Sequence, residues 1–376
     1  MLKTVNELDI KDKRVLVRVD FNVPIDEKGE ITDDFRIRSA LPTIQYLMDN
    51  GAKQVVLMSH LDPWKETPAS TKDSRLKMDN VADALSGLLD QDVAKVDDCV
   101  DVELPDSKLV VLENLRFHKE EKKNDDGFSK KLAKNGEVYV NDAFGTCHRA
   151  HASVEGVVKY FKDYGAGLLV QREVEMLNPV LQNPEHPLYV ILAGAKVSSK
   201  IGVIEKMAES ADKLFIGGKM ALAFVGVDYI DEEERAKAKE LLGKYGSKLV
   251  LPVDYVTEDE VVVGADAIPE GKNIFDVGPK TTSLWKQMMD DAKTIVSNGI
   301  LGYFEKPPFD TGTNEMMKYM AQSSATTILG GGDSASAAMH LGLQDKISHV
   351  STGGGASLEF LEGKELPGLK VLGLYN

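Results

Sequence analysis

The residues best suited to chemistry in this 376-residue chain fall into two sets of different type. The first is cationic and polar. RVDFNVP supplies Arg18, Asp20 and Asn22, DDFRIRSALP supplies Arg36 and Arg38, and LMSH ends in His60. LENLRFH holds Arg116 and His118, and NDAFGTCHRAHAS brings Asn141, Asp142, His148, Arg149 and His151. Arginine forks and histidines converging from several strand exits would make a focused basic pocket, suited to a small ligand bearing phosphate and carboxylate. The competing reading pairs each arginine with a nearby aspartate.

The second set is glycine-rich: LAGAK (192–196), IGGK (216–219), SNGILG (297–302), LGGGDS (329–334) and STGGGAS (351–357). Glycine lets backbone approach a ligand, and a helix opening just after it offers free N–H groups to phosphate. Five such strings in one half point to a nucleotide, against the plainer reading of tight strand-to-helix turns. No GxxxxGK[ST] string occurs, so this is not a Walker-type loop. Lys196 and Lys200 lie four apart at an expected helix start, where like charges repel unless an anion sits between them. A transferring phosphoryl group would be that anion. Asp333 either holds Mg²⁺ against nucleotide phosphates or caps a helix, and the residues alone favour neither.

These side chains need a scaffold that delivers them to one rim. Short apolar, β-branched runs at 13–19, 53–58, 108–112 and 137–140, then 189–193, 213–216, 293–296 and 326–329, predict strands. Helical periodicity fills 38–49, 80–89, 128–134, 200–210, 231–243 and 313–323. The alternation predicts an α/β fold of two Rossmann-like three-layer domains with parallel sheets, in which ligands collect beyond the carboxyl ends of the strands. GAGLLVQREVEMLNPVLQNPEHP (165–187) reads as a hinge helix ended by three prolines. The expected domains are 1–168 and 187–359, joined by 169–186. A basic pocket in one domain and a phosphate cradle in the other imply transfer across a cleft that closes and expels water.

Composition narrows the partners. With 45 Lys and Arg against 60 Asp and Glu, the net charge of −15 argues against nucleic acid or an anionic membrane. Hydrophobic residues make up 43%, without a run long enough to span a bilayer, and a cytoplasmic protein is expected. Cys99 and Cys147 are read as reduced, buried thiols, and a structural zinc site is not expected.

RVDFNVP, RIRSALPTI, ENLRFH, NDAFGTCHRAHAS, GAKVSSKI, GGGDSASAA and STGGGASLEFLEGKELPG together resemble the phosphoglycerate kinase family, in its order and spacing, from about residue 4 to 370. The resemblance implies reversible phosphoryl transfer between 1,3-bisphosphoglycerate and ADP, giving 3-phosphoglycerate and ATP with Mg²⁺, in glycolysis and gluconeogenesis. It implies that Asp20, Asn22, Arg36, His60, Arg116 and Arg149 bind the phosphoglycerate. Arg36, Lys196 and Lys200, with Gly332 and Gly355, would act on the transferring group. Lys200, Gly218, Asn298, Glu305, Gly331, Gly332, Asp333 and Ser334 would hold the nucleotide, Glu305 at the ribose and Asp333 at the metal. It also implies a C-terminal segment, from about 360 to 376, packed on the first domain. A monomer is favoured over a dimer. The alternatives are a relative acting on another acyl-phosphate acceptor, or a non-catalytic phosphometabolite-binding protein.

The chain departs from the family pattern in several places. Asp62, Pro63 and Trp64 stand where Gly-Arg-Pro is usual, so a phosphate-binding arginine is missing, and Arg75 or Lys72 is the expected substitute. Ser297 replaces a tryptophan, Ile300 and Leu301 replace Pro and Met, and Lys219 replaces a small residue.

Overall fold

The computed structural model describes residues 2–62 and 73–375. The chain forms two compact units, Met1–Glu175 with Glu365–Asn376, and Met176–Lys364.

In the first unit β1 (Arg14–Val19), β2 (Gln54–Met58), β3 (Ala94–Lys95), β4 (Leu109–Val111), β5 (Val138–Asp142) and β6 (Asp163–Ala166) form one parallel sheet in the order β3-β4-β2-β1-β5-β6. Five of β1's six residues are buried, as expected for a strand covered on both faces. The covering helices include α1 (Phe35–Asp49) and α2 (Asp79–Leu89), with α3 (Lys119–Lys122), α4 (Asp126–Ala133) and α5 (Leu168–Gln182) following. Ile37, Ile44 and Leu47 of α1 and Val81 and Leu85 of α2 lie at helical spacing and are buried against Val17, Val55 and Leu57 of the sheet.

The second unit repeats the plan. β7 (Leu188–Ala193), β8 (Lys213–Gly217) and β9 (Leu249–Val250) come first; β10 (Asp254–Thr257), β11 (Val262–Gly264) and β12 (Ile274–Val277) form a separate antiparallel ribbon; β13 (Thr294–Asn298), β14 (Thr326–Gly330) and β15 (His349–Val350) complete a parallel sheet ordered β15-β14-β13-β7-β8-β9. Its helices are α6 (Ile201–Ser210), α7 (Ala221–Val225), α8 (Glu232–Tyr245), α9 (Pro279–Met288), α10 (Thr311–Gln322), α11 (Gly332–His340) and α12 (Gly355–Leu361). Trp285 of α9 is fully buried and meets Phe215 of β8 edge-on at 5.3 Å. The last helix, α13 (Pro367–Lys370), belongs to the first unit, where Gly368 N donates to Cys147 O at 2.9 Å. No helix of the described residues is long and apolar enough to cross a membrane.

In both sheets the chain reverses its direction of travel at the centre, between β1 and β5 and between β7 and β13. Such switch points are where loops diverge and leave a crevice. Register places the ends of the central strands level: Arg18 pairs with Met58 and Asn141, and Asn298 pairs with Leu192 and Gly330.

Three expectations need correction. The joining helix expected over 169–186 spans Leu168–Gln182: it runs through Pro179 at the cost of one backbone N–H and stops short of the later prolines. The edge strands β3, β6, β9 and β15 were not expected; they are two to four residues long and carry too little apolar pattern to register. Lys196 and Lys200 do not share a helical turn, because a 3₁₀ turn, Val197–Ser199, separates them and α6 opens only at Ile201.

Candidate active site

The first half of the site grows from the carboxyl ends of β1, β2, β4 and β5. Arg18, on β1, is fully buried. Its Nε donates to Ser153 Oγ at 2.8 Å, Nη1 donates to Val19 O, and Nη2 reaches His60 Nδ1 at 3.2 Å. A guanidinium has no lone pair to offer, so Nδ1 accepts and His60 carries its proton on Nε2. Burial, then the charges of Arg18, Arg116, Arg36 and Arg149, hold the His60 pKa well below the ordinary histidine value. Asp20 Oδ1 lies 3.9 Å from Nδ1, too long for a hydrogen bond, so Arg18 is the group bonded to that nitrogen. His60 is thus a neutral N–H donor. Imidazole ¹⁵N spectra are expected to show one neutral His60 tautomer, protonated on Nε2, at pH 6.5; a protonated ring there would refute this reading.

Arg36, in the first turn of α1, donates from Nη1 to Asp20 Oδ2 at 3.0 Å and to Asn22 O at 3.2 Å. The pairing reading therefore holds for this arginine, but only through Nη1; among the described residues Nε and Nη2 have no acceptor. Asn22 accepts the Asp62 N–H at Oδ1, 2.7 Å, which leaves its amino group to donate. Arg116 lies in the turn after β4, where Asn114 Oδ1 takes its backbone N–H at 3.0 Å. Its side chain is buried, and Nε and Nη1 have no acceptor among the described residues. Burial pulls its pKa down to about 10, against the pull of Glu121, so it stays charged at neutral pH. Arg149 donates from Nε to His148 Nε2 at 3.0 Å. His151 is brought to about 3 by burial and then by Arg116, Arg18, Arg149 and Lys122, so it too is neutral. A buried guanidinium with idle donors is costly unless a ligand supplies the acceptors.

Sequence reasoning passed over Glu121 and Ser153. Glu121 is fully buried and accepts from Ser153 N at 3.0 Å and Ser153 Oγ at 2.6 Å, and that hydroxyl holds Arg18. Glu121 sits in a charge run that reads as a solvated loop, so only the fold reveals it.

The second half forms at the level ends of β8, β7, β13 and β14. Gly299 has φ +97°, and a Cβ there would lie 2.0 Å from Ala193 O; Gly218 has φ +67°, and its Cβ would lie 2.7 Å from Gly194 N. Only glycine lets these loops pass so closely. Lys200 is buried, and its ammonium donates to Asn298 Oδ1 and lies 3.5 Å from Asn298 O. No carboxylate among the described residues touches it. Burial lowers its pKa to about 8, although Asp333 and Glu362 act at longer range to raise it. Asn298 Nδ2 is buried beside it without an acceptor among the described residues. A buried cation and an idle amide N–H on one strand end make a seat for an anion.

α11 opens over this seat. Gly331 is its N-cap, so of the two roles open to Asp333 capping is not the one it fills: Asp333 lies inside the first turn, exposed. The first turn's N–H groups at 332–334 precede the first helical bond, Ala335 N to Gly331 O, and are free for an anion. Ser334 is buried and accepts from Gly299 N at 3.0 Å, which ties α11 to the β13 loop. Gly355 opens α12 after Gly354, while Lys196, Lys219 and Glu305 are exposed in loops around the strand ends.

A model of the family described as phosphoglycerate kinase matches residues 5–364. The chain belongs to the phosphoglycerate kinase family. Phosphoglycerate kinase of Anaeromyxobacter dehalogenans strain 2CP-C is 47% identical over 394 residues, covering 98% of this chain and 99% of that one. The enzyme of Solibacter usitatus is 47% identical over 390 residues, with 98% of each covered. The solved phosphoglycerate kinase of Coxiella burnetii superposes with TM-score 0.86 at 37% identity, covering 99% of both chains, and that of Pyrococcus horikoshii OT3 with 0.86 at 32%, covering 99% and 98%. The chain is accordingly a kinase, a phosphotransferase with a carboxyl group as acceptor, exchanging phosphoryl between 1,3-bisphosphoglycerate and ADP in glycolysis.

Against phosphoglycerate kinase the departures now have locations. Of the expected substitutes, Arg75 has its Nε and Nη2 on Asp73 Oδ1 and Oδ2 at 2.9 and 2.8 Å, and its Nη1 lies 3.5 Å from Glu27 O. Lys72, Pro63 and Trp64 lie outside the described residues. Leu301 is buried, with Cδ2 2.2 Å from where a Cβ on Gly217 would stand, so it packs directly on the end of β8. Ser297 is buried within β13.

Proposed function

We propose that the first unit is the phosphoglycerate half-site and the second the nucleotide half-site of this kinase. The observation that carries the assignment is Arg116, a buried guanidinium whose Nε and Nη1 lack acceptors among the described residues, beside Arg36, Arg149 and a neutral His60 donor. Arg116, Arg149 and His60 hold the ligand's own phosphate, while Asp20 and Asn22 take its hydroxyl and Arg36 its carboxyl end. In the direction of ATP use, a carboxylate oxygen of 3-phosphoglycerate bonds to the γ-phosphorus as the bond to the ADP oxygen breaks, in line. No protein bond forms. The protein's task is positioning and charge neutralisation, which fits a site of arginine forks, lysines and helix N–H groups. Arg36, Lys196 and Lys200 neutralise the moving phosphoryl group, Gly332 and Gly355 present backbone N–H to it, and Gly218, Asn298, Gly331 and Ser334 shape the phosphate seat. Glu305 bonds the ribose hydroxyls.

Mg²⁺ fits the donor set, because Asp333 is an exposed carboxylate without a partner among the described residues, beside free helix N–H groups. When bound, the ion neutralises nucleotide phosphate charge. Both half-sites must act on one pair of reactants, so closure of the units around the substrates is part of the proposal. The chain acts as a cytoplasmic monomer; its two cysteines are free thiols, as a reducing compartment keeps them.

Steady-state kinetics with 3-phosphoglycerate and Mg·ATP, coupling the 1,3-bisphosphoglycerate formed to NADH oxidation, are expected to give saturable turnover in both substrates. Nucleotide binding without turnover would remove the catalytic assignment.

A further inference from the structure

The anion seat of the first unit has a carboxylate at its edge. Asp62 follows His60 and Leu61 at the exit of β2, and its backbone N–H is fixed to Asn22 Oδ1 at 2.7 Å. Asn22 O in turn accepts from Arg36. The Asp62 side chain is only 12% exposed, and its Oδ2 lies 3.6 Å from Lys122 Nζ, whose side chain is 52% exposed. Lys122 ends α3, the short helix that follows the Arg116 turn. Both charges reach into the seat: Asp62 acts on Arg116, and Lys122 acts on His151. Asp62 is thus held in place by the backbone, whereas Lys122 is a long, half-exposed cation in a loose ion pair. Such a pair is weak and exchanges readily. A phosphate dianion entering the seat repels the fixed carboxylate and attracts the mobile ammonium.

We propose that Lys122 is an affinity-setting residue for the phosphoglycerate: Asp62 holds it at the edge of the seat without ligand, and it transfers to the ligand's phosphate on binding. The inference rests on the first unit being the phosphoglycerate half-site. It also accounts for the departure at 62–63, where the chain has gained a carboxylate and lacks an arginine. Arg75 pairs with Asp73, whereas Lys122 is already placed against Asp62.

The two partners are expected to shift affinity in opposite directions. Calorimetric titration of 3-phosphoglycerate into the full chain should show about tenfold weaker binding in Lys122→Met, the scale of one lost charge-assisted contact. Asp62→Asn should bind about threefold or more tightly, because a like charge near the phosphate is gone and the ammonium is released to it. A merely structural ion pair would move both variants the same way or neither. Unchanged affinity in Lys122→Met, or weaker binding in both, would overturn the inference while wild-type binding keeps the half-site assignment. Failure of the wild type to bind 3-phosphoglycerate would overturn the assignment itself, and the inference with it.

Discussion

Replacing Arg36 with alanine is expected to lower kcat by about 10²–10³-fold, the scale seen when one preorganised donor to developing charge is removed. The expectation follows from how the guanidinium is held. Nη1 is tied to Asp20 Oδ2 at 3.0 Å and Asn22 O at 3.2 Å, which fixes the plane of the fork, while Nε and Nη2 have no acceptor among the described residues. A group so held loses little freedom when the transition state forms. Arg36→Lys keeps the charge but cannot hold two partners in one plane, so its kcat should fall between alanine and wild type. The KM for Mg·ATP reports on the other half-site and should stay near the wild-type value. Asp20 is 4% exposed and would be left without its cation, so the alanine variant should also melt lower. Thermal unfolding therefore accompanies the kinetics. Arg36→Ala that is folded at the assay temperature and retains wild-type kcat would exclude Arg36 from the chemistry.

The sequence makes the central strands plain, because β1, β2, β5, β7, β8 and β13 are apolar and β-branched on both faces, and once they are placed the topology delivers Asp20, His60, Arg116 and Asn298 to one rim in each unit. What it conceals is which side chain does which job at that rim. Arg18 is an arginine of the same basic set as Arg36, yet it is fully buried and spent on Ser153, 135 residues away, and on His60; it is a positioning residue. Lys196 and Lys200 have the same spacing from either reading, but one 3₁₀ turn leaves the first exposed and the second buried. Asp333 looks like a cap until the helix is seen to begin one residue before it. These distinctions depend on long-range partners and on single turns of backbone, neither of which hydrophobic periodicity encodes.

Lys200→Met is expected to stabilise the ligand-free protein while abolishing most of its nucleotide affinity. With the ammonium buried and its pKa lowered to about 8 from an ordinary 10.5, the folded state holds this proton less tightly than the unfolded chain does. The sign follows from proton linkage. Below about pH 8 both states are protonated and the full cost of burying the charge is present; between about 8 and 10.5 the unfolded chain binds more protons, so stability rises with pH, and above that range the cost is gone. At pH 7 the cost is about 3 kcal/mol, and methionine removes it but leaves Asn298 Oδ1 without its donor, for a net gain of about 1–2 kcal/mol. The stability rise of the wild type between pH 8 and 10.5 should be correspondingly reduced in the variant. Nucleotide binding reverses the sign for the wild type, since phosphate beside the ammonium raises its pKa again. Binding near pH 8.5 should therefore take up protons, measurable as a dependence of the calorimetric enthalpy on buffer ionisation, and the variant should take up fewer and bind at least about tenfold more weakly. If the variant melts lower than wild type at pH 7 and still binds Mg·ATP equally well, Lys200 is a structural cation and the second half-site needs another centre.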